Sequence, residues 1–396
     1  MKQQLRNNVF IVEALRTAIS SPFKNLKKFT PPELSGHVIR DLIRRTKLKR
    51  KDIDEVFIGN VVSAGLGQNV ARQACLAGGL PVTVPAVTLN NVCGAGLQAV
   101  VTGAQALLAG DDKIVICGGT ESATHNPYFI EGDFEESFNP RDVQDSLIND
   151  GLMCPITKKH MGELVEDMAR RHHIGRVDQD RFALESHLKA CRAQEKKVFI
   201  REIVPVKTAP KKTFRTDDRP RSRISLENFE SLRPAFVRGG TVTAGNASAP
   251  ADGAAACILA HKTAVKAHGL TPRARLRAYA TVATDPAKAF EACPEAVRRA
   301  VKAAGLTASA IDLFEIAESF AAQALFTQKK LRIPAGKLNI YGGDLAFGHP
   351  LGAAGMRALV TLLTALEQEK AALGVAAIAY GGGGATALVV ERLGKL

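Results

Sequence analysis

The sequence predicts an α/β protein whose sheets are covered by helices. Short apolar strands that run into glycine turns alternate along the chain with alanine-rich amphipathic helices, which is the pattern of this class. A length of 396 residues is too great for one small domain and predicts two or three packed units. The strand-then-glycine pattern at 113–119 recurs at 374–384, and this repetition hints at an internal duplication.

Each element follows from hydrophobic periodicity. The apolar segment VFIV at 9–12, which Glu13 ends, predicts a first strand rather than a signal peptide. Apolar residues from Leu97 to Leu108 recur at three- and four-residue steps and predict a helix. Further strands are expected at 55–62, 81–89, 113–119 and 374–384, and further helices at 296–305 and 355–370.

The middle of the chain, about 122–240, differs from both ends. It is more charged, it is broken by proline and glycine, and it contains a long helical stretch from Val177 to Lys197. This composition predicts an insertion or a lid.

The composition limits which class of protein and which cellular compartment are expected. Hydrophobic residues make up 46% of the chain and charged residues 23%, which is ordinary for a soluble globular protein. No apolar stretch approaches the roughly 20 residues of a membrane span. The seven cysteines are widely spaced with no CxxC pair, which argues against a disulfide framework or a structural zinc site. We therefore expect a cytoplasmic protein without a bound metal and without membrane attachment.

The net charge of +14 requires an explanation. Basic residues cluster at 44–51 and at 207–223. Nucleic-acid-binding proteins carry such clusters, but they usually add a recognisable fold or exposed aromatic residues. This chain has no Trp and only four Tyr, so nucleic acid is not expected as a partner. A solvated basic face and a site for a phosphorylated small molecule remain as the two interpretations.

The segment NNVCGAGL at 90–97 places Cys93 where a predicted strand turns into a helix. Gly94 and Gly96 are expected to let the backbone bend tightly there. Unpaired N–H groups and the positive end of the helix dipole favour the nucleophilic thiolate. The alternative is a small buried apolar residue, because free cysteines are commonly buried.

A nucleophilic thiol needs a base, and His349 is the strongest candidate among the nine histidines. It lies in GGDLAFGHPLGAAG at 342–355, where glycines surround it and Pro350 stiffens the following turn. The imidazole is therefore expected to project from a loop that enters a helix.

Together these segments resemble the thiolases, which make or cleave 3-oxoacyl-CoA thioesters. The resemblance covers nearly the whole chain, and its segments occur in the thiolase order. They are EALRTAI (13–19), GQNVARQA (67–74), NNVCGAGLQAV (90–100), GGTES (118–122), HMG (160–162), GTVTAGNAS (240–248), ESFAAQ (318–323), GGDLAFGHPLGAAG (342–355) and GGGG (381–384).

The resemblance implies the fold and the domain boundaries. Thiolases have two similar α/β halves that form five layers, αβαβα, with a loop domain inserted in the first half. On this basis, residues 1–268 are expected to form the N-terminal thiolase domain, with the loop domain at about 122–240. Residues 269–396 are expected to form the C-terminal thiolase domain.

The resemblance also implies the catalytic roles. Cys93 is expected to carry the acyl group and His349 to activate it. The backbone N–H groups of Cys93 and Gly381 are expected to form an oxyanion hole, in which one donor is typically worth about 10²–10³ in rate.

A further set of residues is expected to bind coenzyme A, which is a substrate and product rather than a permanently bound cofactor. His160 and Met161 match residues that line the pantetheine tunnel. Ser248 matches a position that contacts the CoA chain, and Phe320 lies in the motif beside it. Arg221 matches a basic residue near the nucleotide end, with a solvated arginine as the alternative. Thiolases are homodimers or homotetramers, so at least a dimer is expected.

Three segments depart from the thiolase pattern. Ala317 stands where thiolases have the asparagine of their NEAF motif, which holds a water beside the enolate oxygen. Ala379 stands where they have a second cysteine, which moves a proton on or off the α-carbon. Loss of a positioned acid–base group typically costs about 10²–10⁴-fold. The segment DPAKAFEACP at 285–294 also differs from the family's Met-Gly-x-Gly-Pro form.

The replacement for the second cysteine stays open. Tyr380 is adjacent, but neighbours in a strand point to opposite faces, which argues against it. His125 or a water molecule is the other option. Three hypotheses follow: a thiolase-type acyltransferase with replaced groups, an acyltransferase without carbon–carbon bond chemistry, and a CoA-binding scaffold subunit.

Overall fold

The computed structural model describes residues 8–130 and 142–394. The strands are β1 (Val9–Thr17), β2 (Glu55–Gly59), β3 (Ala86–Leu89), β4 (Ile114–Ser122), β5 (Tyr128–Ile130), β6 (Val143–Asp145), β7 (Met153–Cys154), β8 (Lys159–His160), β9 (Ile203–Val204), β10 (Val206–Ala209), β11 (Lys212–Phe214), β12 (Asp252–His261), β13 (Ala274–Ala283), β14 (Leu313–Ile316), β15 (Leu373–Tyr380) and β16 (Gly384–Arg392). The helices are α1 (Pro31–Thr46), α2 (Val70–Ala77), α3 (Ala95–Ala109), α4 (Met161–Arg171), α5 (Arg176–Glu195), α6 (Leu226–Glu230), α7 (Lys262–Ala267), α8 (Cys293–Ala303), α9 (Ala321–Leu331), α10 (Asp344–Phe347) and α11 (Leu351–Gln368).

Two mixed sheets form the framework. In the first half of the chain the strand order is β3-β2-β4-β12-β1, and in the second half it is β13-β16-β15-β14. The two sheets meet at a short antiparallel contact between β1 and β13, where Phe10 pairs with Arg275 and Ile11 with Ala274. Each half therefore has its own sheet, joined to the other at one edge.

Three large hydrophobic cores pack the five layers of the molecule against one another. One core packs α1 and α2 against the outer face of the first sheet. A second core lies between the two sheets and is filled by α3 and α11. A third packs α8, α9 and α4 against the outer face of the second sheet. The αβαβα arrangement predicted from the resemblance is confirmed.

The internal duplication is visible in the central layer. The pair α3–β4 in the first half corresponds to the pair α11–β15 in the second, since in each case a central helix is followed by a sheet strand. The repeated sequence pattern at 113–119 and 374–384 coincides with β4 and β15. Cys93 precedes α3 and His349 precedes α11, so the two candidate catalytic residues occupy related places in the two halves.

The predicted strand at 81–89 is longer than the observed one. Only Ala86–Leu89 pairs with β2, and Val84 N–H instead donates to Pro81 O in a turn. Pro81 and Pro85 lack the N–H groups that a strand would use. The prediction was wrong for 81–85 and confirmed for the rest.

The inserted region between β4 and β12 contains the small two-stranded ribbons and α4, α5 and α6. The helix predicted from Val177 to Lys197 is confirmed as α5. The boundaries at 122, 240 and 268 stay predictions.

One described segment, Val92–Ala109, is long and apolar enough to cross a membrane by composition alone. It coincides with α3, and more than half of it is buried. Its apolar side chains pack between the two sheets, so the segment is a core helix in this fold.

Glycines bring the start of α11 into direct contact with β4. A Cβ at Gly119 would lie 2.0 Å from Gly352 O, and a Cβ at Gly96 would lie 2.7 Å from the same oxygen. No side chain fits between these backbones. The glycines are therefore needed for the close approach of the two helices that carry Cys93 and His349.

We predict that Gly119→Ala destabilises the protein, because the added methyl group must push α11 away from β4. Overpacking of this kind costs about 1–3 kcal/mol and occasionally more. The measurement is the free energy of unfolding in denaturant. Gly175→Ala is the matched control, because a Cβ there meets nothing within 4 Å and φ is −75°. Equal stability of the two variants would contradict the role given to Gly119.

Candidate active site

Cys93 lies in the tight connection between β3 and α3. The bend falls on Val92, whose φ is 47°. A positive φ is costly for a β-branched residue and persists only where the surroundings impose it. The Asn90 side chain supplies part of that constraint, since its Oδ1 accepts from Val92 N–H at 3.0 Å and its Nδ2 donates to Val61 O at 3.1 Å.

The role predicted for Gly94 and Gly96 was wrong. Gly94 has φ −76°, and Gly96 lies inside α3, so neither supplies the bend. Both are required for close packing instead. A Cβ at Gly94 would lie 2.4 Å from the Tyr380 ring, and a Cβ at Gly96 would meet Gly352 O and Met356.

His349 lies in the turn between α10 and α11, as predicted. Its backbone N–H donates to Ala249 O at 2.8 Å. The preceding Gly348 has φ +92°, and a Cβ there would lie 2.8 Å from Arg219. The turn therefore needs glycine both for its conformation and for the space beside Arg219.

The imidazole of His349 is 6% exposed and is held through one ring nitrogen. Nδ1 lies 2.9 Å from Asp344 Oδ2. Nε2 is buried and makes no hydrogen bond within the described residues. Cys93 lines the same cavity as His349, so Nε2 is the nitrogen available to the thiol and to a substrate.

The charges around His349 favour its protonated form. Burial alone would lower the pKa of this histidine. The charges of Cys93 and Asp344, together with the hydrogen bond between Nδ1 and Asp344, outweigh burial and raise the pKa to about 10. The arrangement therefore favours a protonated imidazole beside the sulfur of Cys93, which is the partner that a cysteine nucleophile needs.

A single cavity of about 230 Å³ contains most of the predicted site. It is lined mainly by apolar and aromatic side chains, including Phe236, Phe290 and Phe320. Seven of the predicted site residues line it: Cys93, His160, Met161, Ser248, Phe320, His349 and Gly381. The structure thus brings together residues separated by almost 290 positions, while their individual roles stay predictions.

Contacts within the protein fix the orientation of His160 and Ser248, two of the residues that line this cavity. His160 Nδ1 accepts from Gly162 N–H at 3.0 Å at the start of α4, and its ring stacks on Phe236 at 4.9 Å. Burial lowers the pKa of His160, so this ring is neutral at pH 7. Ser248 Oγ donates to Ser319 O at 2.8 Å.

The structure shows the surroundings of the four residues considered in connection with the missing catalytic groups, which are Ala317, Ala379, Tyr380 and His125. Ala379 lines the cavity, whereas Ala317 is fully buried behind it. The Tyr380 ring packs against Gly94 and Gly384, in a different core from Ala379. Ala379 and Tyr380 thus pack in different cores, as expected for neighbours in a strand, although Tyr380 also lines the cavity. His125 contacts Ser122 Oγ at 3.0 Å and does not line the cavity.

Arg221 is the one predicted site residue outside that cavity. It lines a neighbouring cavity of about 320 Å³ together with Arg219, Arg223 and His187. Ala247 borders both cavities, so they adjoin. Arg221 N–H donates to His187 Nδ1 at 3.3 Å.

This second cavity is strongly electropositive. Burial, followed by the charges of Arg221 and Arg219, lowers the pKa of His187 to about 4. Burial and Arg221 also lower the pKa of Arg219, and Arg219 Nε is buried without a partner among the described residues. An anionic group would relieve this repulsion, which favours the phosphorylated-ligand interpretation of the basic run at 207–223.

Some features were not found by sequence reasoning. Asp344 lies in the motif at 342–355, but the sequence alone does not indicate that it contacts His349. That contact depends on the short helix α10. Arg219 and His187 were likewise missed beside Arg221. Phe290, from the segment at 285–294 that departs from the family pattern, lines the cavity. Among residues 8–130 and 142–394, no group of three potential metal ligands occurs.

The fold and the site together define an acyl-transfer enzyme built on a duplicated α/β scaffold. The model of the thiolase N-terminal domain matches residues 9–263, and that of the thiolase C-terminal domain matches residues 270–392. The chain therefore belongs to the thiolase family.

Known proteins are similar to this chain over nearly its full length. The acetyl-CoA acetyltransferase of Escherichia coli is 43% identical over 391 residues, which cover 98% of this chain and 99% of that protein. The protein of the same name from Chromobacterium violaceum is 44% identical over 390 residues, covering 97% and 99%. Human mitochondrial 3-ketoacyl-CoA thiolase in complex with CoA superposes with a TM-score of 0.95 at 34% identity and full coverage of both chains. The Acat5 thiolase of Ascaris suum in complex with coenzyme A has a TM-score of 0.91 at 37% identity, covering 98% and 100%.

We predict that Arg219→Ala and Arg221→Ala weaken the use of acyl-CoA much more than that of an acyl-pantetheine, which lacks the nucleotide phosphates. Charge-assisted hydrogen bonds are worth about 1.5–3 kcal/mol, so KM for acyl-CoA should rise about tenfold or more. The measurement is KM for both thioesters. Arg298→Ala, at an exposed ion pair on α8, is the control. A uniform effect on both thioesters would contradict a phosphate contact.

Proposed function

We propose that this protein is a thiolase-type acyltransferase that acts on acetyl-CoA or a 3-oxoacyl-CoA through an acyl-enzyme on Cys93. The observation that carries the proposal is the pairing of Cys93 with a buried, charge-supported His349 in one apolar cavity. Relatives named acetyl-CoA acetyltransferase and the CoA-bound thiolase structures support the same chemistry.

Each step of the proposed reaction is assigned to a residue. The Cys93 thiolate attacks the thioester or 3-oxo carbonyl, and the oxyanion that develops is met by the N–H groups of Cys93 and Gly381. His349 accepts and returns protons through Nε2. The apolar cavity excludes water, which strengthens these electrostatic interactions and slows hydrolysis of the acyl-enzyme.

The substrate enters by way of the two adjoining cavities. The pantetheine arm would lie beside His160, Met161, Ser248 and Phe320. The nucleotide phosphates would lie against Arg221 and its neighbouring arginines. Coenzyme A then enters and leaves as a substrate and product.

A second candidate function rests on two residues. We infer that Ala379 and Ala317 stand at the positions of the second catalytic cysteine and of the water-binding asparagine of other thiolases. Neither side chain can transfer a proton or bind a water molecule. An acyltransferase that forms the Cys93 acyl-enzyme but makes or breaks no carbon–carbon bond, or a CoA-binding scaffold subunit, would need neither group.

The experiment that separates these functions is thiolysis of acetoacetyl-CoA by the purified protein, followed by the loss of 3-oxoacyl absorbance. We expect turnover that disappears in Cys93→Ala and falls by about 10²–10⁴-fold in His349→Ala. Turnover in Cys93→Ala would contradict the proposal.

The paired variant Ala379→Cys with Ala317→Asn addresses the second candidate. If the wild type shows no turnover and this double variant does, the scaffold is sound and the carbon–carbon chemistry has been lost. If neither protein turns over and Cys93 is not acylated, CoA binding without catalysis is the remaining function.

We also propose that the protein is a homodimer or homotetramer in the cytoplasm. The strand β3 lies at the end of the first sheet with its outer edge unpaired among the described residues. Val82 and Val87 beside this edge are 75% and 40% exposed. An open, apolar strand edge tends to pair with another chain unless it is covered or charged. Light scattering on the purified protein tests this assembly, and a monomer at micromolar concentration would contradict it.

A further inference from the structure

The active-site cavity offers few groups that can transfer a proton to carbon. Its titratable lining side chains are Cys93, His160, His349 and Tyr380. Cys93 is occupied once it is acylated. His160 is neutral and uses Nδ1 to cap α4, and the Tyr380 ring is packed away from Ala379. His349 remains as the only member of this set that can both hold and release a proton beside the reacting carbon.

Asp344 gives His349 a support that does not depend on the nucleophile. The carboxylate is fully buried, and its Oδ2 lies 2.9 Å from His349 Nδ1. Its Oδ1 lies 2.9 Å from Arg357 Nε. Burial alone would raise the pKa of Asp344, but Arg357 and His349 outweigh burial and the net effect is a lowered pKa. Asp344 is therefore ionised while it faces the ring.

The contribution of Asp344 matters most after acylation. A thioester on Cys93 carries no negative charge, so the support that the thiolate gives to the imidazolium is lost. Burial would then lower the pKa of His349 and release its proton before it is needed. Asp344 stays in place at this stage and keeps Nδ1 as the donor, with Nε2 directed to the substrate.

We propose that the Asp344–His349 pair carries the proton in both half-reactions and replaces the second cysteine of other thiolases. This inference rests on the proposed function. Asp344 acts as a positioning residue, and His349 is the group that exchanges the proton with substrate.

The steps balance for thiolysis. The Cys93 thiolate adds to the 3-oxo carbon, the C2–C3 bond breaks, and its electron pair passes to C2 of the departing acetyl-CoA. His349 Nε2–H gives its proton to C2, which leaves acyl-Cys93 and a neutral imidazole. Free CoA then gives its thiol proton to Nε2, its sulfur attacks the acyl carbonyl, and Cys93 leaves as a thiolate. The imidazolium–thiolate pair is restored.

The charged groups that face this pair come from several elements. Arg357 of α11 links Asp344 to Glu315 of β14, which lies 3.0 Å from the guanidinium. Arg219 packs against Gly348, and Glu121 accepts from Gly352 N–H at 3.0 Å. The groups that act electrostatically on His349 or Asp344 are thus Cys93, Glu315, Glu318 and Arg357, together with the pair itself, while Glu121 and Arg219 contact the neighbouring backbone.

The first test measures the protonation of His349 by nitrogen NMR in Cys93→Ala, with His349→Asn in the same background for assignment. An ordinary histidine, with a pKa of about 6.5, is about nine-tenths neutral at pH 7.5. We expect His349 to stay protonated at that pH, because Asp344 remains. A His349 that is neutral at pH 7.5 would overturn the inference, and this variant leaves the Asp344–Arg357 contact intact.

The second test compares two reactions of Asp344→Asn. In the transfer of acetyl from acetyl-CoA to Cys93 the proton of Nε2 goes to a thiolate sulfur, which solvent can also protonate, whereas cleavage of acetoacetyl-CoA must protonate carbon inside the cavity. We expect cleavage to fall by about 10²–10⁴-fold and acetylation of Cys93 to fall much less. Equal losses in the two reactions would indicate a merely structural role and overturn the inference.

A double variant that combines Ala379→Cys with Asp344→Asn tests whether the cleavage activity can be rescued. A thiol at the position of Ala379 lies in the cavity and provides a second proton carrier, so it should restore part of the cleavage activity without restoring the protonation of His349. Failure of this rescue in a folded double variant would count against the replacement of the cysteine.

The outcomes separate this inference from the proposed function. If the wild type does not acylate Cys93, the proposed function fails. If Cys93 is acylated but acetoacetyl-CoA is not cleaved, the acyltransferase is retained and the Asp344–His349 inference is overturned.

Discussion

The site depends on the contact between backbones at the centre of the molecule. Gly96 at the start of α3, Gly119 in β4 and Gly352 at the start of α11 approach so closely that a single methyl group has no room. The ends of both central helices are therefore fixed against each other. Cys93 and His349, which precede these helices, reach the same cavity because the chain is duplicated and the two halves meet at these glycines.

Buried charge compensation is the second constraint. His349, Asp344, Arg357 and Glu315 form a row of titratable groups in contact inside the protein, in which burial raises the pKa of Glu315 to about 8. Removal of one member of such a row leaves an uncompensated buried charge, which commonly costs about 3–5 kcal/mol. The row therefore contributes to the stability of the fold, and any variant at Asp344 has to be checked for folding.

A neighbouring set of buried contacts links α11 to the basic segment at 207–223. Thr361 Oγ on α11 donates to Glu202 at 3.2 Å, and Arg16 on β1 donates to both Glu202 and Asp217. Asp217 precedes the Asp218–Arg219 step of the basic segment. The ion pairs of Arg16 therefore connect α11 to the start of the segment that carries Arg219.

The sequence predicts those parts of the molecule that local patterns determine. Periodicity identified α3, α5, α8 and α11, and the ordered motifs placed Cys93, His349 and Gly381 in one site. Contacts that arise only in three dimensions were not accessible. The bend at Val92 is imposed by Asn90 and the surrounding packing rather than by a glycine. The role of Asp344 depends on a short helix that folds its carboxylate back onto His349, and Pro81 and Pro85 shortened β3 through missing hydrogen bonds.

The measurement that tests the central claim most directly is intact-protein and peptide mass spectrometry after mixing with acetyl-CoA. Acyl transfer through Cys93 requires one acetyl group on the peptide that contains this residue, formed before any acceptor is added and discharged when CoA is supplied. The same label should be absent from Cys93→Ser. An unlabelled Cys93, or a label that CoA does not remove, would contradict the account.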